Sequence, residues 1–303
     1  MNASTSTQEY IASSAAEVEA ALRESLPVNW NMPDKLREAM MYSLEAGGKR
    51  LRPTLVLTAA EAVRDDRRAW DAAMPVACAI EMIHTYSLIH DDLPAMDDDD
   101  FRRGKPTNHK VFGEGMAILA GDGLLTHAFY AVTQTAQRGV PPETALAIAS
   151  DLALLAGVSG MVGGQAADLL GEQGLTTIEQ LEYIHLRKTS DLILFSVTAG
   201  ARVGGATPAQ LEAVGEFARK LGLAFQVQDD ILDLTGDESK LGKPVQSDVQ
   251  QSKVTYPYLI GLEQSRELVQ RLTMEAKQAL AKADLARPDR LLAIADYLVS
   301  RDH

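Results

Sequence analysis

The sequence predicts an all-α protein, because apolar residues recur at spacings of three and four along nearly all of its 303 residues. The alternation of apolar and polar residues that marks strands is absent, and most glycines and prolines stand at the ends of apolar segments. No repeat of fixed period, low-complexity linker or shift in composition marks a domain boundary. We therefore expect one helical domain over residues 15–303, preceded by a flexible Ser/Thr/Ala-rich leader at residues 1–14.

The expected helices follow one another with turns between them. Pro33 opens one that ends at Gly47 and Gly48, which matches the preference for proline at the start of a helix and glycine just past its end. The expected helices span residues 15–26, 33–46, 54–63, 71–92, 113–134, 143–156, 160–172, 177–203, 208–234, 256–283 and 288–301. Residues 236–252 are polar and are expected to form a mobile loop.

Composition excludes several classes of partner. The formal net charge of −13 argues against nucleic acid and anionic membrane surfaces, although a bound metal can still bring in an anionic ligand. The single cysteine, Cys78, lies in an apolar helical run, which excludes a disulfide framework and a thiolate metal site. Residues 1–14 lack the features of a signal peptide, and no uncharged apolar run reaches membrane-spanning length. We therefore expect a cytoplasmic protein without a membrane anchor.

An acidic stretch follows the helix expected at residues 71–92. Six of the ten residues from Asp91 to Asp100 are aspartate, and Arg102 and Arg103 come directly after them. So many carboxylates repel one another unless a cation lies among them. Oxygen ligands without Cys or His favour Mg²⁺, which keeps several waters and usually shares its site with phosphate. The two arginines could then hold the phosphate oxygens. The alternative is an inert, solvated acidic loop.

Within this stretch, Asp91 and Asp97 would not share a face of a regular helix. Pro94 interrupts the helix, however, and the break can bring Asp97 round towards Asp91. An EF-hand calcium loop is excluded, because the twelfth position counted from Asp97 is Asn108 and the sixth is not glycine.

A second acidic cluster stands near the end of the helix expected at residues 208–234. Asp229 and Asp233 are four residues apart, so they lie on one face of that helix with a single turn between them. Like charges at this spacing destabilise a helix unless a cation bridges them. Two such acidic helix ends facing each other would hold Mg²⁺ ions between them.

A basic turn complements these acidic clusters. Lys49, Arg50 and Arg52 fall between two helices, where the N-terminus of the next helix also favours anions. Alone, such a turn is more typical of a solvated surface. Together with Arg102 and Arg103 it predicts two anionic groups bound in different ways, one through Mg²⁺ and the other directly on lysine and arginine.

Histidines are judged by their spacing. His84 shares an apolar helical stripe with Asp91, so both point inwards, and by itself such a histidine is more often a core residue. Four other histidines show no metal-ligand pattern and are therefore assigned structural roles: His90, His109, His127 and His185.

These motifs resemble those of the trans-isoprenyl diphosphate synthases, and they occur in the family order over about residues 30–260. The matching residues are Gly-Gly-Lys-Arg-Leu-Arg-Pro at 47–53, Asp91, Asp92 and Asp97 with Arg-Arg-Gly at 102–104, Lys188-Thr189, and Phe-Gln-x-x-Asp-Asp-x-x-Asp at 225–233. Two extra residues in the first motif are similar to bacterial farnesyl and plant-type geranylgeranyl synthases. The resemblance implies a single-domain helical bundle around a central cavity, and a homodimer.

The resemblance also implies the chemistry, which is a Mg²⁺-dependent, head-to-tail condensation through an allylic carbocation. Isopentenyl diphosphate would be joined to dimethylallyl or geranyl diphosphate to give farnesyl diphosphate. Three Mg²⁺ ions would lie on the allylic diphosphate, held by Asp91, Asp92, Asp97, Asp229, Asp230 and Asp233.

The remaining residues of the site are assigned by the same resemblance. Arg102 and Lys188 would hold the allylic diphosphate, and Lys243 would close over it from the loop. Thr189 and Gln226 would offer neutral oxygens near the carbocation, so that Lys188, Thr189 and Gln226 form the catalytic set. Isopentenyl diphosphate would be bound by Lys49, Arg52, His84 and Arg103.

Product length would depend on the helix that precedes Asp91. Tyr86 lies five residues before Asp91, about 7.5 Å along the helix axis. In the resembling family an aromatic residue at this position forms the floor that stops growth at farnesyl, whereas the small Ser87 does not block. Tyr86 as an ordinary packing residue is the alternative.

Several alternatives remain open. A geranylgeranyl diphosphate synthase would share every motif. A terpene cyclase would share the first aspartate motif but would not need the Lys49 and Arg52 site. A non-catalytic subunit of a heteromeric prenyltransferase usually lacks an aspartate motif, and a divalent-cation buffer would leave the basic sites without a role. The preferred allylic starter stays open.

Overall fold

The computed structural model describes residues 6–171, 177–235 and 254–300. Most of these residues are helical, which confirms the predicted all-α fold class. In chain order the helices are α1 Thr7–Ser25, α2 Asp34–Leu44, α3 Leu51–Arg64, α4 Arg67–Asp91, α5 Asn108–Phe112, α6 Glu114–Thr133, α7 Pro142–Ala156, α8 Met161–Gly171, α9 Ile178–Ile184, α10 Asp191–Gly204, α11 Pro208–Thr235, α12 Tyr256–Ile260, α13 Leu262–Lys282 and α14 Asp289–Ser300. A 3₁₀ turn, Gln134–Arg138, follows α6.

Contacts divide the chain into two compact units. The first consists of residues up to Leu57 together with Arg68–Ala149, and the second of Thr58–Arg67 together with residues from Ser150 onwards. The single domain and the central cavity expected from the sequence stay predictions.

The first helix begins earlier than expected. We predicted a flexible leader over residues 1–14, but α1 starts at Thr7. The backbone N–H of Glu9 donates to Ser6 Oγ at 3.2 Å, and Glu9 Oε2 accepts from the Ser6 backbone N–H at 2.9 Å. This reciprocal cap starts the helix, and Tyr10 is buried. The leader prediction is therefore wrong from Thr7 onwards, because serine there caps a helix.

Two further differences concern local geometry. The helix expected at residues 256–283 is divided into α12 and α13 at Gly261, whose φ of +89° interrupts the helical winding. A short antiparallel hairpin, which the sequence did not predict, pairs β1 Phe101–Arg102 with β2 Lys105–Pro106.

Three segments are long and apolar enough, by length and composition alone, to cross a membrane: Arg67–Asp91, Glu114–Arg138 and Pro142–Gly171. The sequence expectation concerned uncharged runs, and charged residues interrupt each of these segments, namely Glu81, Asp122 and Asp151. In the first, 83% of the most apolar window is buried inside the protein, so its apolar character belongs to the core. The corresponding shares are 44% and 33% in the other two, which leave apolar side chains such as Leu119 and Leu146 exposed.

The helix that carries Lys188 changes its winding halfway along. A π-helical turn, His185–Ser190, joins α9 to α10. Two glycines allow close packing against it. A Cβ added to Gly164 of α8 would lie 2.4 Å from the Lys188 backbone nitrogen, and one added to Gly222 of α11 would lie 2.7 Å from Ser190 Cβ. Turns of this kind are rare in proteins overall, but those that occur often lie at functional sites.

Replacing Gly222 by alanine should destabilise the protein by roughly 1–3 kcal/mol, because the new methyl group would collide with Ser190. Gly215 lies two turns earlier on α11, where an added Cβ meets Leu194 and Thr198 side-chain atoms only at 3.8 Å. Gly215→Ala should instead stabilise the helix by up to about 1 kcal/mol. Chemical unfolding followed by circular dichroism measures both changes. Effects of equal sign and size would contradict the close packing of α11 on the π turn.

Candidate active site

The first aspartate motif begins where α4 ends. Helical structure stops at Asp91, three residues before Pro94, and the chain then turns back. The backbone N–H of Asp97 donates to the Asp91 carbonyl oxygen at 2.8 Å. The expectation that the Pro94 break brings Asp97 round to Asp91 is therefore confirmed for the backbone.

Asp92 and Arg102 form a tight pair within this motif. Arg102 donates from Nε to Asp92 Oδ1 at 2.6 Å, and from Nη2 to Asp99 Oδ2 at 3.1 Å. Burial raises the pKa of the Asp92 carboxyl, even though Arg102 favours its charged form. Asp99 was not among the predicted site residues, although its spacing of three from Arg102 was a usable signal.

The hairpin places Arg103 against the glycine turn. Its guanidinium donates to the Gly47 carbonyl oxygen, and a Cβ added to Gly48 would lie 2.7 Å from Arg103 Nη1. Gly48 also has a φ of +131°, which side-chain-bearing residues rarely adopt. Glycine is therefore required at position 48 by the backbone conformation and by the space that the Arg103 guanidinium occupies.

Arg50 supports this turn from inside the protein. It is buried, donates to the Glu81 carboxylate on α4 and to the Leu44 carbonyl oxygen at the end of α2, and lies 3.5 Å from Glu19. A buried arginine with these partners holds the turn in place. Of the three cations of the turn, Lys49 and Arg52 are those that the sequence predicted to bind an anion, and this stays a prediction.

His84 lies among positive charges. Its pKa is held well below the usual range of histidine by burial, and by the charges of Arg52, Arg103, Arg102 and Arg50. The imidazole is therefore neutral at pH 7. These groups are close enough to form one electropositive patch in the first unit.

Arg52 also belongs to this patch. Burial, together with the charge of Arg103, lowers the pKa of Arg52. Its buried Nε atom has no hydrogen-bond partner among the described residues. An anion bound here would relieve both the repulsion and the missing hydrogen bond.

His84 should make the protein less stable towards acid. Below about pH 6.5 the unfolded chain protonates this histidine while the native protein does not, so the free energy of unfolding falls as the pH falls. His84→Gln should remove this contribution and flatten the pH dependence by up to about 1.4 kcal/mol per pH unit. Urea unfolding between about pH 7.5 and 5.5 measures the slope. Identical slopes for variant and wild type would show that native His84 titrates in its ordinary range.

The proposed chain-length residue Tyr86 is fixed by packing. It is 6% exposed, and its ring meets the His90 ring edge-on at 5.8 Å between centroids. The His90 ring in turn packs against Gly121, where an added Cβ would come within 2.1 Å of Nε2. Burial and the charge of Asp91 raise the pKa of Tyr86 to about 12, so its hydroxyl is neutral. Ser87 donates to the His84 carbonyl oxygen at 2.9 Å.

The second aspartate motif lies on α11 in the second unit. Asp229 is half-buried, whereas Asp230 and Asp233 are buried. The Oδ2 atom of Asp230 accepts the backbone N–H of Tyr256 at 3.0 Å, and His185 Nε2 lies at the same distance. With the carboxylate ionised, Nε2 must carry the hydrogen. His185 was predicted to be structural, and the structure adds a contact with the metal motif.

Lys188 and Thr189 lie in the π turn. Lys188 Nζ contacts Asp168 Oδ2 on α8 at 2.7 Å, a partner that sequence reasoning missed. Thr189 and, on α11, Gln226 are half-buried.

The predicted site residues thus fall into two groups, one in each unit. The first unit holds Lys49, Arg52, His84, Tyr86, Ser87, Asp91, Asp92, Asp97, Arg102 and Arg103. The second unit holds Lys188, Thr189, Gln226, Asp229, Asp230 and Asp233. Lys243 lies outside the described residues.

The donor chemistry fits magnesium. Within the described ranges no three His, Cys, Asp or Glu side chains converge on one point as a preformed cage. Mg²⁺ does not require one, because it takes few carboxylates and keeps waters or phosphate oxygens for its other positions. Oxygen ligands beside fixed cations therefore suit a metal that arrives with an anionic ligand.

Fold and site together define an all-α protein with carboxylates for a hard metal ion and separate cations for anionic groups. The profile of the family described as polyprenyl synthetase matches residues 33–287. The chain belongs to this family.

Relatives and solved structures agree with this assignment. The chain is 53% identical over 271 residues to the farnesyl diphosphate synthase of Geobacillus stearothermophilus, with 89% of this chain and 90% of the relative covered. It is 47% identical over 296 residues to the chloroplastic geranylgeranyl pyrophosphate synthase of Catharanthus roseus, with 97% and 81% covered. A Helicobacter pylori geranyltransferase, solved in complex with magnesium and isoprenyl diphosphate, has a TM-score of 0.81, 32% identity and coverage of 99% and 98%.

Proposed function

We propose that this protein makes farnesyl diphosphate, by joining isopentenyl diphosphate head-to-tail to dimethylallyl diphosphate and then to geranyl diphosphate. The observation that carries the proposal is the contact of Arg103 with the turn that bears Lys49 and Arg52, in the same unit as the first aspartate motif with its Asp92–Arg102 pair. Two separate means of binding an anion suit a reaction that joins two diphosphates. The identity to farnesyl diphosphate synthases adds support.

Bound magnesium, for which we propose three ions, would supply positive charge to the leaving diphosphate. We propose Asp91, Asp97, Asp229 and Asp233 as the coordinating carboxylates. The sequence also assigned Asp92 and Asp230 to the metal. We propose that these two carboxylates also position their neighbours, because Asp92 contacts Arg102 and Asp230 contacts His185.

The cations divide between the two substrates. Lys188 and Arg102 hold the allylic diphosphate, with Lys243 added from the part of the chain outside the described residues. Asp168 orients Lys188, and Asp92 with Asp99 orients Arg102, so both cations are directed before the substrate binds.

The second diphosphate takes a different set of residues. Isopentenyl diphosphate binds to Lys49, Arg52, His84 and Arg103. The neutral His84 can donate one hydrogen bond to the diphosphate oxygens without adding a charge.

The carbocation requires neutral neighbours. Thr189 and Gln226 offer oxygens that stabilise positive charge without acting as strong nucleophiles. A site that excludes water protects the cation from hydrolysis. The final proton can pass to the released diphosphate, so this chain needs no nucleophile and base of its own.

The experiment that tests the proposal is a product assay on purified protein with isopentenyl and dimethylallyl diphosphates, with Mg²⁺ and with a chelator. A Mg²⁺-dependent C15 product is expected. A C20 product would favour the geranylgeranyl alternative, which the similarity to plant relatives supports. Absence of any coupling would favour a cyclase or a non-catalytic subunit.

Removing one charge from either aspartate motif should abolish most of the turnover. Asp91→Asn and Asp229→Asn should each lower kcat by several orders of magnitude, because the bound metal would lose a charged ligand. Circular dichroism should show an intact fold. Asp122→Asn, at an exposed position of α6, is the matched control and should keep wild-type kcat. Wild-type turnover of the Asp91 and Asp229 variants would remove these residues from the metal site.

Removing the ring of Tyr86, the residue proposed to stop chain growth, should lengthen the product. Tyr86→Ala removes a buried ring, so we expect C20 to replace C15 as the main product, measured by chromatography of the dephosphorylated alcohols. Tyr258→Ala changes an exposed tyrosine of α12 and should leave the product distribution unchanged. If the Tyr86 variant still makes only C15, then Tyr86 packs in the core without limiting chain length.

We also propose that the protein is a cytoplasmic homodimer without a membrane anchor. The exposed apolar side chains of Ile118 and Leu119 on α6 support a partner surface. Light scattering after size exclusion should give twice the mass of the chain. Binding to lipid vesicles would contradict the proposal.

A further inference from the structure

We infer that His185 is a positioning residue that joins the π turn to the second aspartate motif. The inference rests on the proposed roles of Lys188, Asp229 and Asp233. His185 opens the turn that carries Lys188, and its ring holds Asp230, which lies next to Asp229 on α11. The hydrogen bond between His185 and Asp230 therefore fixes the turn that carries Lys188 against the helix that carries Asp229 and Asp233. In the proposed function these three residues act on the same diphosphate.

The contact is buried and shared by three elements. Asp230 is 4% exposed, and both of its described donors, His185 Nε2 and the Tyr256 backbone N–H, approach the same oxygen at 3.0 Å. The ring of Tyr256 lies 5.5 Å from the His185 ring, at an interplanar angle of 39°. The carboxylate thus fixes the π turn, α11 and the start of α12 at one point.

The tight packing makes this point sensitive to small changes. Gly222 and Gly164 leave no space between the π turn and helices α11 and α8. If the imidazole is lost, the Asp230 carboxylate keeps only the Tyr256 N–H and has to turn towards another donor or water, because a buried charge without sufficient hydrogen bonds is costly. The adjacent Asp229 and the Lys188 ammonium would then lose their mutual alignment.

The ring also has a specific geometric task. The donor has to reach Asp230 from the Nε2 position, at the far side of the imidazole. A glutamine side chain can bring its amide to nearly the same place, whereas the amide of an asparagine reaches only as far as Nδ1. Leucine fills similar space without any donor. These three substitutions therefore separate donor position from packing.

The test measures divalent-ion binding with and without turnover. We expect His185→Leu to raise the half-saturating Mg²⁺ concentration about 10–100-fold, as is typical when a group that orients metal ligands is lost. His185→Gln should recover most of this loss and His185→Asn should not. Calorimetric titration of the protein with Mn²⁺ in the presence of inorganic pyrophosphate compares metal binding among the same variants without any reaction.

His127 provides the control. It is buried, and its Nε2 lies 2.8 Å from the Ser25 carbonyl oxygen in the first unit. His127→Leu should lower the melting temperature and leave the Mg²⁺ requirement unchanged.

Two results would overturn the inference: an unchanged Mg²⁺ requirement in His185→Leu, or equal behaviour of the glutamine and asparagine variants. If the leucine variant does not fold, the comparison of glutamine with asparagine still decides. Absence of coupling by the wild-type protein would instead refute the proposed function, while the pyrophosphate titration would still report on His185.

Discussion

Electrostatic repulsion among the charged side chains of each group of site residues is the constraint on which this structure depends. Two like charges 4 Å apart repel by about 4 kcal/mol at the effective dielectric constant near a protein surface, and both units gather several such charges. The protein responds by giving site groups partners of opposite charge. Arg102 lies between Asp92 and Asp99, and Lys188 contacts Asp168, while the His185 ring gives the Asp230 carboxylate a hydrogen-bond partner.

These internal pairs do more than cancel charge. Guanidinium and ammonium groups have more donors than a single carboxylate uses, so the partner fixes the direction of the side chain and leaves donors for a ligand. Arg50 shows the contrasting case. It is buried against Glu81 and the Leu44 carbonyl oxygen, and it serves the turn rather than a ligand. Its two hydrogen-bond partners at the turn set Arg50 apart from the cations that are proposed to bind a ligand.

The sequence predicted the features that depend on local spacing. Helical periodicity predicted the all-α class, the spacing of Asp229 and Asp233 predicted a shared face, and Pro94 predicted the return of Asp97 towards Asp91. The same local reasoning failed at α1, where the polar composition before residue 15 was interpreted as coil although Ser6 starts a helix.

Contacts between distant residues could not be predicted in this way. His185 and Asp230 are 45 residues apart, and Lys188 and Asp168 are 20 residues apart, so no periodicity connects them. Asp168 is a single acidic residue on a helix, and its sequence neighbourhood does not distinguish it from a solvated one. Only the packing of helices within each unit brings these pairs together.

The π turn at His185–Ser190 has a consequence for how this geometry could arise. An α-helix advances about 100° per residue, so one additional residue in the turn rotates all that precedes it relative to all that follows. Deleting one residue there would restore an ordinary helix and turn α9 away from its present neighbours. The sequence would still contain the side chains of the proposed site. A lineage could therefore acquire or lose this arrangement through the gain or loss of one codon.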